Sequence, residues 1–139
     1  MRIKSLVLLF AFSLVITGCA STQERLLDSE QSQVKLRSIQ TRTYDTTDKE
    51  KLLRSALSTL QDLNFVIDKA DYTIGTITAK KLNNYALVMT VTVMPKGEKQ
   101  LKVRANAQYQ SKPVADPQPY QNFFTSLEKA KFLEEHDVQ

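Results

Sequence analysis

One cysteine, one histidine and three glycines are all that the 139 residues offer of the types most site chemistry relies on. A lone Cys19 forms no intrachain disulfide and excludes a structural zinc site built from several thiolates. His136 is the only histidine, so a histidine metal cluster or a buried Ser–His–Asp triad has almost nothing to work with. Gly18, Gly75 and Gly97 are too scattered to make a phosphate-binding loop. The carboxylates are dispersed as well. Asp45 and Asp48 flank the start of an expected helix, where an acidic side chain ordinarily interacts with the positive helix end. Asp62, Asp68 and Asp71 have no histidine nearby to complete a metal site, and Glu134, Glu135, His136 and Asp137 read as a solvated polar tail. No enzyme, no metal and no cofactor is expected on these grounds. Repeats and low-complexity tracts are missing too, and 42% hydrophobic with 24% charged residues describes one ordinary globular domain.

What is present begins at the N-terminus. Arg2 and Lys4 form a positive head, and Leu6 to Ile16 is an apolar run broken only by Ser13. The small-residue junction Thr17-Gly18-Cys19 then completes the layout of a secretory leader. As a helix the run spans ~16 Å against a hydrocarbon core of ~30 Å, too short for a comfortable transmembrane anchor.

Ile16-Thr17-Gly18-Cys19 resembles a lipobox, the cleavage site of bacterial lipoproteins. The resemblance implies a diacylglycerol on the Cys19 sulfur, cleavage between Gly18 and Cys19, and an acyl chain on the new amino terminus. Several chains, at ~0.8 kcal/mol per buried CH₂, hold a protein durably where one holds it marginally. By similarity to sorted Gram-negative lipoproteins, Ala20 after the cysteine implies the outer membrane, with the protein facing the periplasm. Loss of residues 1–18 removes Arg2 and Lys4 and leaves 17 basic against 15 acidic side chains, a formal +2. That balance, in an envelope compartment, is a poor footprint for nucleic acid.

Three parts are therefore expected: a leader at 1–18, the lipidated Cys19 with a tether to 33, and a single α+β domain at 34–139. The tether is polar apart from Leu26 and Leu27 and reaches at most ~50 Å. In the domain, Val34 to Tyr44 reads as a first, edge strand. Thr47-Asp48-Lys49-Glu50 has capping-box spacing, and Leu52, Leu53, Ala56, Leu57, Leu60 and Leu63 follow at helical spacing, with Asn64 as a left-handed stop. Strands are expected from Phe65, from Gly75, from Tyr85 to Met94, and from Leu101 to Tyr109. The hairpin turns fall at Asn83-Asn84 and Pro95-Lys96-Gly97. Leu101, Val103, Ala105, Ala107 and Tyr109 alternate with Lys102, Arg104, Asn106 and Gln108, which predicts a sheet with one covered and one wet face. The proline-rich stretch 111–119 reads as a loop. Pro119 opens a last helix carrying Tyr120, Phe123, Phe124 and Leu127, extended by Phe132 and Leu133 to about 134. The order is β-α-β-β-β-β-α: an antiparallel sheet of about five strands with two helices on its apolar face, where Gly75, Ala79, Ala105 and Ala107 let a helix lie close.

The segments Ile39-Gln40-Thr41-Arg42, Leu60 to Asp68 and Val103 to Tyr109 resemble small, largely uncharacterised Gram-negative outer-membrane lipoproteins. The architecture is similar, more distantly, to BamC-type helix-grip domains, a likeness of topology that transfers no function. The remaining candidate sites are surfaces. Arg42, Lys80, Lys102 and Arg104 form a possible partner face for an acidic protein or an anionic envelope polymer. An exposed edge strand offers β-augmentation. Tyr85, Met89, Phe123, Phe124 and Leu127 form a possible apolar cleft between sheet and last helix. The expected function is a non-enzymatic, lipid-anchored adaptor or accessory subunit binding another envelope protein in an assembly, secretion or efflux machine. The alternative is a small apolar ligand or lipid held in the cleft.

Overall fold

Local pattern and long-range pairing divide the work of building this chain. The computed structural model describes residue 30 and residues 32–136, and for Asn84 and Tyr85 the backbone alone. The leader, Cys19 and most of the tether lie outside the described residues. The chain divides into two compact units at Lys35/Leu36, and apart from residues 32–35 all that follows concerns the second.

Residues 32–39 are helical (α1) rather than extended, against the expectation of a strand from Val34. Leu36 and Ile39, three apart, both pack on the core, which a helical turn allows and a strand does not. Only β1 (Thr41–Tyr44) pairs with a neighbour. Helix α2 (Lys49–Asp62) follows, then β2 (Phe65–Asp71), β3 (Thr76–Lys81), β4 (Asn84–Lys96), β5 (Gln100–Tyr109), the two-residue β6 (Lys112–Pro113) and α3 (Gln118–His136). The N-cap of α2 is Asp48, not Thr47: its Oδ1 accepts from Lys51 N at 2.9 Å. Asn64 stops the chain at φ 62°, as its tolerance of the left-handed region predicts. Asp116 Oδ1 accepts from Gln118 N at 3.0 Å where α3 begins, with Pro119 in the first turn.

The class is α+β. The sheet is antiparallel with order β1-β5-β4-β3-β2, and β6 pairs with the far end of β5. Strands β2 to β5 form a meander, so α2 must carry the chain from one edge of the sheet to the other. It packs over β2, β3 and β4, while α3 packs on α2 and β5. Their buried Leu52, Leu53, Ala56, Leu60, Tyr120, Phe123, Phe124 and Leu127 meet Ile77, Ala79, Met89, Val91, Val93, Leu101, Val103, Ala105 and Ala107 of the sheet. Phe132 and Leu133 extend α3 but stay exposed, beyond the part of the helix that the sheet covers.

Ala105 and Ala107 clear the space in which Tyr120 crosses to β5. Its hydroxyl donates to Val114 O at 2.7 Å and accepts from Ala107 N and Gln40 Nε2, each at 3.3 Å. With Gln40 O accepting from Ala105 N and Ala107 O from Val114 N, this knot fills the gap between β1 and β6 along the edge of β5. Gln40 is itself only 3% exposed, so the network satisfies polar groups that have no access to water.

Candidate docking face

The face of the sheet turned away from the helices is built from cross-strand rows, because residues opposite each other in a ladder point the same way. One row runs Asp71–Thr76–Thr92–Arg104–Thr41, the next Lys69–Thr78–Thr90–Asn106, a third Val66–Lys80–Val88–Gln108, and a fourth Met94–Lys102–Thr43. The Thr78 and Thr90 hydroxyls stand 3.5 Å apart. Short, β-branched side chains with few rotamers thus line the centre of the face. None of the described elements covers it.

The four cations expected to gather there do not all do so. Arg42 pairs with Val103, not with Lys102 or Arg104, which turns it to the helix side of the sheet. Its guanidinium lies 5.1 Å from the Phe124 ring centroid and donates to Ser38 O and Thr41 O at 3.2 and 3.0 Å. Alternation along β1 hands the open face to Thr41 and Thr43 instead. Lys80 is on the face but is paired with Asp68 at 3.1 Å. Lys102 and Arg104 are on the face, and neither charged group has a hydrogen-bond or ion-pair partner among the described residues. Lys96 joins them from the end of β4, donating to Thr43 Oγ1 at 3.1 Å and meeting no carboxylate among the described residues. Lys96, Thr43, Thr90 and Thr92 join the face without a motif in the sequence that marks them for it. For the two threonines of β4 the signal in the sequence is their alternation with Val91 and Val93.

Both sheet edges are blunted. On β1, four residues long, the Arg42 guanidinium occupies the Thr41 carbonyl. On β2, the register shifts between Ile67 and Lys69 so that Asp68 bulges, and Asp68, Lys69 and Asp71 place charge along the strand. Short length, bulges and charges are the devices that keep an edge from accepting another strand.

The expected apolar cleft is packed shut where it was placed. Met89, Phe123, Phe124 and Leu127 are 0–2% exposed within the core, with the Phe123 and Phe124 rings edge to face at 5.2 Å. The Tyr85 side chain lies outside the described residues. At the rim between sheet and last helix lies a pocket of about 240 Å³ lined by Leu63, Phe65, Lys81, Leu87, Asp116, Gln118, Pro119 and Asn122. A smaller one of about 60 Å³ lies between the start of α2 and the end of α3, lined in part by Asp48, Ser55, Lys131 and Glu135.

Among the described residues no group of three or more His, Cys, Asp or Glu is placed to hold a metal ion, and no helix is long and apolar enough to cross a membrane. Burial and the nearby Glu128 carboxylate push the Tyr44 phenol well above its ordinary range; its hydroxyl has no hydrogen-bond partner among the described residues. Compared with protein-family models and with the curated proteins, the sequence matches none.

Proposed function

We propose that the chain is a lipid-anchored lipoprotein of the Gram-negative outer membrane, facing the periplasm. In this reading it is a non-enzymatic adaptor or accessory subunit of an envelope assembly, secretion or efflux machine. The observation that carries the proposal is Ile16-Thr17-Gly18-Cys19 behind a positive head and an apolar run, with the chain's one cysteine at the junction. Acylation supplies location, and the tether raises the local concentration of the domain at the membrane. The uncovered polar sheet face supports an interaction role, since it leaves one side of the domain free for another protein. The alternative, an apolar ligand in the cleft, has weaker support because Met89, Phe123, Phe124 and Leu127 fill that space themselves.

Metabolic labelling with a radioactive fatty acid tests the anchor. The natural chain is expected to take up label and to lose residues 1–18, whereas Cys19→Ser takes up none and keeps its leader. A free Cys19 thiol in the mature natural protein would remove the lipoprotein reading.

A further inference from the structure

We infer that the open sheet face is where the adaptor holds its partner, and that the partner is a protein presenting carboxylates to Lys96, Lys102 and Arg104. This deepens the adaptor reading and rests on it. The charge on the face is unevenly divided. Toward the β2 edge both signs meet, with Lys80 paired to Asp68 and with Lys69 and Asp71 ending the threonine rows. Along β5 and the end of β4, Lys96, Lys102 and Arg104 have no acidic partner among the described residues. Arg104 sits between the Thr92 and Thr41 side chains, and Thr43 pairs with Lys102. Hydroxyls thus flank the charges, and a guanidinium presents a rigid fork that fits a carboxylate with two parallel hydrogen bonds.

Size and texture suit a protein. Five strands averaging eight residues, ~27 Å, at ~4.8 Å spacing give a face of about 650 Å², near the ~800 Å² each partner contributes to a standard interface. Threonines lose little rotamer freedom when covered, and Val66, Val88 and Met94 add apolar contact. A sugar polymer is held largely by stacking on aromatic planes, and none of the described aromatic side chains lies on this face. The blunted edges turn recognition away from strand addition and onto the face.

The test uses the full lipidated chain in its own cells, with a photo-cross-linking residue at Gln108 on the open face or at Thr125 on the exposed side of α3. The Gln108 probe is expected to give a protein adduct whose cross-linked peptide is rich in Asp and Glu. That adduct falls at least tenfold with K102E/R104E and is unchanged with Lys129→Glu on α3. Replacing the partner's carboxylates with Lys restores it to the double variant. An adduct indifferent to the reversal, one formed only from Thr125, or one to a sugar polymer overturns the inference while leaving an adaptor possible. No adduct from either position removes the adaptor reading itself. Lys102 and Arg104 have no described side-chain partner to lose, so the urea midpoint of K102E/R104E should match the natural protein. If it does not, Arg104→Gln must reproduce the loss of adduct or the inference fails.

Discussion

A buried hydroxyl stabilises or destabilises according to what it meets, and two tyrosines on the covered side of the sheet show both cases. Tyr120 Oη ties Gln40, Ala107 and Val114 together. Tyr120→Phe leaves Gln40 Nε2 and Ala107 N buried without this acceptor, and a loss of about 1–3 kcal/mol is expected in urea unfolding at unchanged m. Tyr44 is 8% exposed and its hydroxyl has no partner among the described residues, so Tyr44→Phe should be neutral or stabilising in the same measurement. The Tyr44 phenol also resists ionisation in the folded state. Above the ordinary phenol value of about 10, the unfolded chain releases a proton that the folded chain keeps. Its contribution is thus complete below pH ~10 and is lost as the pH rises beyond it. Urea midpoints at pH 9 and pH 11 should differ more for the natural protein than for Tyr44→Phe. Glycine gives a second contrast. Gly75 has φ +88°, and a Cβ there would stand 2.6 Å from Val93 O and collide with the Lys49 side chain; at Gly97, φ +65°, nothing lies within 4 Å. Gly75→Ala should cost clearly more than Gly97→Ala, for which ~1 kcal/mol of backbone strain is the expected scale.

Among the elements, the start of α2 shows how far a spacing rule reaches. Thr47 and Asp48 are both good capping residues, and the Thr-x-x-Glu spacing points to the first. The chain enters the helix one residue later because Thr46 Oγ1 accepts from Asp48 N and the Asp48 carboxylate then meets Lys51 N. Asp48→Ala is expected to lower stability by ~1 kcal/mol and Thr47→Ala to change it little, as read from thermal unfolding. The strand expected from Val34 failed for a related reason. Its β-branched residues favour extension, but only Thr41–Tyr44 have β5 to pair with, and Leu36 and Ile39 reach the core from a helical turn instead. The alternation in β5 was fully legible, because one strand with one buried face declares its phase in its own residues. The bulge at Asp68 was not, since it exists only relative to β3.

At the scale of the whole molecule, the leucine stripe of α2, the aromatic stripe of α3 and the two-faced strands are all patterns among near neighbours in the chain. Peptide geometry turns such patterns into local structure with little reference to anything distant, so they can be read in one dimension. The composition of the open face is another matter. It depends on β1 lying beside β5 rather than β2, and on pairing Arg42 with Val103 and Lys80 with Val66 and Val88. A shift of one residue in such a ladder sends every side chain to the opposite face. Placing Arg42 over Phe124, neutralising Lys80 with Asp68 and leaving Lys102 and Arg104 without a partner among the described residues are therefore outcomes of long-range registry, set when the core closes and invisible in the order of the residues.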